Sequence, residues 1–497
     1  MNQMRMSDQI ASLRRRIVGI DQLVPVLGGG WLPYVNLDNA ASTPVLREVL
    51  DTVNRFMDWY SSVHRGAGFK SRVSTHAYEE ARGIVAAFVG ANRAEHVVIF
   101  GKNATEAINK VSWRLNLVPE DVVLVSQMEH HSNDLPWRAR ARVEHIGVDD
   151  NGALNSAHLD SLLHLHAGRV RLVAVTGASN VTGYMPDIHA LARRVHAAGA
   201  QILVDCAQLA PHRAINIRGL DDPEHLDYVT LSAHKMYAPF GTGALIGRRD
   251  TFEQGEPEHR GGGTIDFVAL DSVTWAPAPD RDEAGTPNVV GAVALAAAIR
   301  ALSDIGMDHI AAHEAELRAH ALERLARIDG IRFHGTGDAS DGSRHLGVIA
   351  FTLDSQPHGL VAAALAGEYG IGVRSGCFCA HPYLIRLLGL SQGEVDKVRA
   401  AMGSGDRSAV PGLVRISFGM YNSLDDIDRL AVALERISAG RLGATYRQDR
   451  DSGEYIAEGL AMDPTDAFSI SRCGLAAMTL PSEPSNSFLR QVRMPRD

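Results

Sequence analysis

Residues 201–205 read QILVD, a short apolar run that ends in a carboxylate. Similar runs recur with amphipathic helical stretches between them, at residues 96–100, 122–126, 171–176, 228–232 and 244–247. Strands that are apolar throughout are typical of a parallel sheet covered by helices on both faces. The alternating order therefore predicts an α/β fold with a large, doubly wound, mostly parallel sheet.

The rest of the chain predicts a second, smaller domain and two flanking segments. An Ala-rich helical run at 290–302 leads out of the sheet region, and further apolar runs follow at 346–353 and 413–418. The N-terminal segment reads as a short helix and a Gly/Pro loop, and the tail has weak periodicity. We divide the chain into a segment that packs with the small domain (1–35), a large α/β domain (36–290), a small α+β domain (291–440) and a tail (441–497) that is expected to be an appendage or a partly disordered arm.

Composition excludes several classes of protein. The 497 residues carry a net charge of -9, which leaves no basic excess for binding nucleic acid. No apolar run approaches the ~18 residues that span a bilayer. The arginines at 14–16 are similar to an export signal, but Asp21 and the glycines at 28–30 interrupt the apolar stretch behind them. With only four cysteines, we expect a cytoplasmic protein with reduced thiols and no nucleic-acid or membrane partner.

Polar clusters follow several of the predicted strands, at residues 103–106, 129–133, 179–180, 205–208 and 232–235. Ligands of open α/β sheets bind outside the carboxyl ends of the strands. Five such clusters are hard to explain by structural needs alone, so the sequence predicts a ligand site at this edge of the sheet.

Lys235 and Asp205 point to a carbonyl cofactor. Lys235 is one of five lysines and follows a predicted strand, where it is flanked by apolar residues and glycines. A lysine in such a place is suited to form a Schiff base. Asp205 ends an apolar strand, where a carboxylate is costly to bury unless it pairs with a cation such as a pyridinium nitrogen. The pair is the pattern of pyridoxal 5'-phosphate enzymes, and Gln208 is placed to bond the ring hydroxyl.

A phosphate cradle is predicted at residues 103–105, where a helix opens directly after a strand. Backbone N–H groups and the helix dipole at such a point favour an anion. Thr105, Ser232 and His234 supply further donors. A plain N-cap at Asn103 is the alternative explanation of this motif.

With these residues in place, the chain resembles the class V aminotransferase group of fold-type I pyridoxal phosphate-dependent enzymes, and within it the SufS-type cysteine desulfurases. The resemblance covers about residues 36–434. It rests on nine motifs in family order: LDNAAS (37–42), VHRG (63–66), ATEAIN (104–109), EHHSN (129–133), SNVTG (179–183), VDCAQ (204–208), HKMY (234–237), AGTPN (284–288) and RIS (415–417).

The resemblance implies a role for each matched residue. Lys235 binds the cofactor and acts in catalysis, Asp205 pairs with the pyridinium, and His130 stacks on the ring as a further catalytic residue. Thr286 reaches the phosphate of a neighbouring subunit, which implies a homodimer. Residues implied in substrate binding are Arg415, as the clamp on the carboxylate, with Asn180, Arg374, His64 and Ala40. Ala104 departs from the usual Gly-Thr-Thr phosphate loop, so one hydroxyl is missing there.

The segment 373–382, VRSGCFCAHP, decides between reactions. It resembles the desulfurase loop Arg-Thr-Gly-His-His-Cys-Ala, which aligns Cys379 with the persulfide cysteine and puts Cys377 in a histidine's place. Its Gly-Cys-Phe-Cys core and residues 414–419 also resemble molybdenum cofactor sulfurases, and the stretch 391–410, longer than in compact desulfurases, supports this likeness. Arg374 and His381 are groups of the kind that lower a thiol pKa. The alternatives are two inert thiols or half of a metal site, but no second ligand pair exists and we predict no metal.

We therefore expect a desulfurase-like enzyme that takes sulfur from L-cysteine as a persulfide on Cys379, releases L-alanine and passes the sulfur to a protein or small-molecule acceptor. The alternative is another class V enzyme, such as an aminotransferase, a C–S or C–Se lyase or an epimerase, in which both thiols are bystanders. A cofactor-fold scaffold without turnover is a third hypothesis, against which the intact Lys235, Asp205 and Arg415 argue.

Overall fold

The central sheet is built from the apolar runs. A computed structural model describes residues 12–335, 342–460 and 463–472. Its main sheet has seven strands, in the order His96–Gly101, Gly243–Arg248, Tyr228–Ser232, Gln201–Asp205, Val170–Thr176, Val122–Ser126 and Arg142–Ile146. Neighbouring strands are parallel except at Gly243–Arg248, which is antiparallel to both neighbours.

Helices cover both faces of this sheet. Val97 and Ile99 face one core, which helix Ala104–Arg114 completes, whereas Val98 and Phe100 face the other core. The second core takes up several further helices, which are Arg47–Met57, Phe69–Phe88, Ser156–Leu165, Ile188–Ala197 and Val289–Ile305. The predicted doubly wound, mostly parallel sheet is confirmed.

A smaller antiparallel sheet follows in the chain. Its strands are in the order Ile331–His334, Val348–Leu353, Leu413–Ser417 and Arg374–Gly376. Its core also contains helices Met307–Leu325, His358–Tyr369 and Leu424–Ser438. The other described helices are Leu135–Arg138, Arg249–Glu253, His381–Leu387, Gln392–Gly403 and Pro464–Ala467.

The flanking segments contact the smaller sheet and its helices. Where a Gly/Pro loop was expected, strands Leu23–Val26 and Gly30–Pro33 form a hairpin, and Val35–Asn36 pairs with Ile371–Gly372. Beyond residue 440, strands Tyr446–Gln448 and Tyr455–Ala457 form a second hairpin, and the Tyr446 hydroxyl bonds Glu368 at 2.8 Å. The four-part division of the chain stays a prediction. Residues 1–11, 461–462 and 473–497, with Cys473, lie outside the described residues.

Within the described ranges, no single helix is both long and apolar enough to cross a membrane. Helices Val289–Ile305 and Met307–Leu325 pass that test only as a pair, and they are bent by 75° at their junction.

A buried carboxylate ties three sheet strands to a neighbouring helix. Asp227 is fully buried, and its Oδ2 accepts the Ile202 N–H at 2.8 Å and His196 Nε2 at 2.9 Å. Its Oδ1 accepts from His225 Nε2 and from the Arg248 guanidinium, each at 3.2 Å. Burial raises the pKa of Asp227, but the bonds from His196 and His225 outweigh it and hold the pKa well below its usual range.

We expect Asp227→Asn to destabilise the fold by about 3 kcal/mol, because it breaks a buried ion pair with Arg248 and an amide nitrogen cannot accept the bonds that a carboxylate oxygen takes from Ile202 and His196. Since the folded-state pKa lies below the unfolded value, this stabilisation is present above the unfolded pKa and is lost as the pH falls. The measurement is the urea midpoint at neutral pH. Asp250→Asn, which removes an exposed partner of the same Arg248, is the control and should cost at most about 1 kcal/mol. Equal losses in the two variants would contradict the argument.

Candidate active site

A cavity of about 300 Å³ opens at the carboxyl ends of the parallel strands. Strands Gln201–Asp205, Tyr228–Ser232 and Val170–Thr176 each contribute their last residue to its lining. The predicted site residues that line it are Ala40, Ala104, Thr105, His130, Asn180, Asp205, Gln208, Ser232, His234, Lys235, Arg374, Cys379 and Arg415. The structure thus brings together residues that are up to 375 positions apart in the chain (Ala40 to Arg415).

Lys235 lies on the cavity wall, at the end of a short helical turn that follows its strand. Its Nζ donates to Gln208 Oε1 at 3.2 Å. Burial lowers the Lys235 pKa to about 8, although the Asp205 carboxylate acts in the opposite direction. The Thr43 N–H and hydroxyl both bond the carbonyl of His234, which fixes the turn. An amine held this way is available in its neutral, nucleophilic form near neutral pH.

Asp205 presents one oxygen to the protein and one to the cavity. Its Oδ1 accepts the Ala207 N–H at 3.0 Å and the Thr230 hydroxyl at 3.2 Å. Among the described residues, no hydrogen bond to Oδ2 is found. Burial raises the Asp205 pKa, since the nearby Lys235 ammonium compensates only in part. A cationic ring nitrogen bound in the cavity would supply the missing counter-charge, so this carboxylate fits pyridoxal phosphate.

His130 is held in one tautomer. Its Nδ1 lies 3.1 Å from the Ser132 N–H, which can only donate, so in the neutral ring the proton sits on Nε2. Burial, and then the charge of Lys235, lower the His130 pKa to about 4. A neutral imidazole on the cavity wall is suited to stack on an aromatic cofactor ring.

Part of the cavity is lined by a cluster of small residues that carry hydrogen-bond donors. Asn103 caps helix Ala104–Arg114, and the Ala104 N–H donates to Ser232 Oγ at 3.0 Å. The Thr105 hydroxyl bonds that of Ser132 at 2.7 Å. A Cβ built on Gly243 would come within 2.6 Å of Asn103 Cα, so only glycine lets the neighbouring strand approach this turn. Hydroxyl and amide donors at a helix N-terminus fit a phosphate.

Arg415 is buried and bonded at both ends of its guanidinium. One terminal nitrogen donates to the Asn180 carbonyl at 2.9 Å and the other to Asp38 Oδ1 at 2.6 Å. Arg415 lines the cavity, and these two bonds use two of the five N–H groups of its guanidinium, so it is suited to bind a substrate carboxylate through the others.

The cysteine loop forms a strained turn at the cavity. Phe378 and Cys379 have φ values of 54° and 57°, and the Ala380 N–H closes the turn on the Cys377 carbonyl at 3.0 Å. Two non-glycine residues with positive φ cost of order 1–3 kcal/mol each. The Asn180 amide donates to the Phe378 carbonyl at 2.8 Å, and the His131 N–H donates to the Cys379 carbonyl at 2.7 Å. These two hydrogen bonds fix the turn, which places the exposed Cys379 on the cavity wall.

Two predicted residues do not line this cavity. The backbone of His64 is bonded to Thr75, its ring packs at 5.7 Å from that of Tyr78, and it lies outside the lining. Thr286 is exposed and also lies outside it. Its predicted contact with a second subunit stays a prediction, as does each role assigned to the other residues.

Sequence reasoning passed over three residues of the site. Ser132 joins His130 to Thr105, and Asp38 pairs with Arg415. Glu129 is buried and accepts from the Ser126 hydroxyl and from the Thr176 N–H at 2.8 Å, which ties two strand ends together, and it also accepts from the Asn133 amide at 2.6 Å. Burial raises its pKa to about 8. All three belong to the motifs quoted above, so membership of these motifs could have identified them.

The model of the class-V aminotransferase family matches residues 35–430. The chain belongs to this family. A cysteine desulfurase of Dickeya dadantii is 37% identical to this class-V chain over 415 residues, which are 82% of this chain and 92% of that protein. A cysteine desulfurase of Haloferax volcanii is 34% identical over 412 residues, which are 81% of this chain and 89% of that protein.

Solved structures resemble this class-V chain in the same way. An apo cysteine desulfurase of Thermococcus onnurineus superimposes with a TM-score of 0.74 at 30% identity, over 86% of this chain and 98% of that one. An Escherichia coli cysteine desulfurase in an S-sulfonic acid form gives a TM-score of 0.71 at 30% identity, over 87% and 99% of the two chains. The predicted fold-type I architecture therefore agrees with solved relatives.

Proposed function

We propose that this class-V enzyme is a pyridoxal phosphate-dependent cysteine desulfurase, which moves sulfur from L-cysteine to Cys379 and releases L-alanine. The observation that carries the proposal is one cavity that holds Lys235, Asp205 and Cys379 together. Desulfurase relatives at 34–37% identity support it.

The cofactor would be held by Asp205 at its ring nitrogen, Lys235 at its aldehyde and the donors around Thr105 at its phosphate. When bound, pyridoxal phosphate supplies an electron sink for cleavage of bonds at the substrate Cα. Lys235 is the group that moves the proton at Cα, since its lowered pKa keeps a neutral fraction available. Because the His130 pKa is lowered to about 4, its ring is neutral near neutral pH and adds no positive charge beside Lys235.

Arg415 binds and orients the substrate carboxylate through its guanidinium. Cys379, as a thiolate, then attacks the sulfur of the substrate. A bond forms between the Cys379 sulfur and the substrate sulfur, and the bond between that sulfur and Cβ breaks. The electron pair of the broken bond stays with the carbon skeleton, which takes up protons and leaves as alanine. The sulfur remains on Cys379 as a persulfide.

The test of this proposal is a survey of amino acids with the holoenzyme and a reductant. L-Cysteine should release alanine and sulfide, and amino acids without sulfur should give no comparable product. Turnover of another amino acid in preference to L-cysteine would replace the proposal with a different class V reaction.

Arg415→Lys is expected to raise KM for L-cysteine by about tenfold to a hundredfold, because an ammonium cannot reproduce the fork of donors that a carboxylate takes. Arg399→Lys is the control, because Arg399 lies outside the cavity lining on helix Gln392–Gly403 with its side chain 75% exposed, and it should change KM less than about threefold. Steady-state kinetics with both variants provide the measurement. An unchanged KM in Arg415→Lys would contradict the assignment of Arg415 as the clamp.

The assembly and setting of the enzyme are part of the proposal. A homodimer is supported by the hairpin of Ile265–Val268 and Val273–Trp275, which exposes Phe267, Val268, Leu270 and Val273. Exposed Thr286 is free to reach a second subunit. A sulfur acceptor, protein or small molecule, is required to discharge Cys379. The free thiols of Cys206, Cys377 and Cys379 support a reducing, cytoplasmic setting.

A further inference from the structure

The cysteine loop carries an aromatic ring that the reaction described above does not use. Phe378 lies between the two loop thiols in sequence, lines the cavity and is only 7% exposed. Among the described residues of the lining it is the one large apolar side chain, and the others are small or polar. Its contacts indicate what this ring does.

The Phe378 ring packs against the guanidinium of Arg415. The central carbon of the guanidinium lies over the ring, 4.8 Å from its centroid, which is within the range of a cation–π contact. Such a contact is stronger where water is excluded, and both side chains are buried. The group that binds the substrate carboxylate is therefore in contact with the residue directly before Cys379.

Asn180 links the same two residues by hydrogen bonds. Arg415 donates to the main-chain carbonyl of Asn180 at 2.9 Å, and the Asn180 side-chain amide donates to the main-chain carbonyl of Phe378 at 2.8 Å. All three residues are buried and line the cavity. With the ring contact, these bonds form a closed circuit that ties the carboxylate clamp to the cysteine loop.

The backbone of the loop depends on such outside contacts. Phe378 and Cys379 have φ values of 54° and 57°, a conformation that persists in residues other than glycine only when the surroundings hold it. The His131 N–H holds the Cys379 carbonyl, whereas Asn180 and Arg415 hold Phe378. Because Phe378 and Cys379 are consecutive, a change at the ring changes the direction of the Cys379 thiol.

We propose that Phe378 is a positioning residue, which places the Cys379 thiol for attack on the substrate sulfur through its contact with Arg415. The inference rests on the proposed function, because it concerns the step in which Cys379 takes the sulfur. Asp38 and the Asn180 carbonyl hold Arg415 at 2.6 and 2.9 Å without Phe378. Loss of the ring therefore leaves the clamp in place and releases the loop.

Phe378→Leu should separate two steps of the reaction. Removal of the Cα proton by Lys235 does not use the cysteine loop, whereas alanine release needs Cys379. We expect kcat for alanine release to fall by about tenfold to a hundredfold, because a displacement of about 1 Å at a reacting group has an effect of this size. KM should change less than about threefold, since Arg415 keeps its other partners. Exchange of the Cα hydrogen of L-cysteine with solvent should be retained.

The measurement compares exchange with turnover. Holoenzyme is given saturating L-cysteine and a reductant in D2O, and mass spectrometry measures deuterium at Cα of the recovered L-cysteine and the alanine released in the same sample. The ratio of exchange to alanine should rise at least about tenfold in Phe378→Leu. Phe378→Tyr keeps the ring and should restore the wild-type ratio.

Phe56→Leu is the matched control. Phe56 belongs to the same hydrophobic core as Phe378 and is 8% exposed, but it lies on helix Arg47–Met57, outside the cavity lining. The substitution removes the same atoms from the same core, so a ratio that stays at the wild-type value separates positioning from a general loosening of the fold.

Asn180→Ala is a second variant that tests the same circuit. It removes the amide that bonds the Phe378 carbonyl, while the main-chain carbonyl of Asn180 still accepts from Arg415. The ratio of exchange to alanine should rise in this variant too. This result does not depend on whether Phe378→Leu folds and retains its cofactor.

The other outcomes separate the inference from the proposed function. A raised KM with parallel losses of exchange and alanine would show that the ring only supports Arg415, and would overturn the inference. An unchanged ratio in Phe378→Leu and Asn180→Ala, an equal rise in Phe56→Leu, or no restoration in Phe378→Tyr would also overturn it and leave the proposed function standing. No alanine from the wild type would overturn the proposed function and the inference together.

Discussion

Cys379→Ser should lower alanine release from L-cysteine by at least about a hundredfold, with the bound cofactor unaffected. A hydroxyl is a much weaker nucleophile toward sulfur than a thiolate, and loss of an attacking group costs orders of magnitude in rate. Cys379 lies on the cavity wall, on a turn of its own that is distant in sequence from Asp205 and Lys235. The substitution therefore leaves the residues that would hold the cofactor unchanged. The visible absorption of the cofactor should therefore be retained.

The control for this variant is Ser375→Ala, which alters the strand leading into the same loop and removes no thiol. It should retain alanine release within about threefold, as usual for a side chain without a role in the reaction. Equal alanine from wild type and Cys379→Ser would show that sulfur leaves the substrate by lyase chemistry without Cys379.

Lys235→Ala should lower kcat/KM for L-cysteine by at least about a thousandfold. General acid–base catalysis alone contributes about a hundredfold to ten-thousandfold, and the same amine also attaches the cofactor. The Lys235 pKa of about 8 makes this amine far easier to deprotonate than an exposed lysine. Borohydride reduction of the wild type should fix the cofactor to the peptide that contains Lys235, and the variant should lose this adduct.

Lys397→Ala is the matched control, since Lys397 is exposed on helix Gln392–Gly403. It should keep both activity and the reduced adduct. Trapping of the cofactor on another lysine in the wild type would contradict the assignment of Lys235.

The sequence was a good guide to the fold where burial dictates the pattern. The strands at 122–126, 201–205 and 228–232 are buried at almost every position, so their apolar runs predicted the bounds without error. Strand Arg142–Ile146 was missed because it lies at the sheet edge, where Arg142 is exposed and Glu144 and His145 are only partly buried. The N-terminal hairpin was missed because its strand Gly30–Pro33 is mostly exposed and lacks an apolar pattern.

The site was predictable as a set of residues and less so as a set of contacts. Motifs at strand ends identified Lys235 and Asp205, because topology alone brings such ends together. The partners of His381 could not be deduced, since His131 lies 250 positions earlier and meets it only through the folded loop. His381 was expected to act on the loop thiols in general, and in the folded chain its ring lies parallel to that of His131, with centroids 5.0 Å apart.

The most direct test of the desulfurase assignment is a balance of products without reductant, on holoenzyme given a limiting amount of L-cysteine. Alanine released and sulfur bound to the protein are measured in the same sample. Equal amounts of the two are expected, with the bound sulfur on the peptide that contains Cys379. Pyruvate and ammonia with free sulfide, or alanine with elemental sulfur, and no sulfur on that peptide would contradict the assignment.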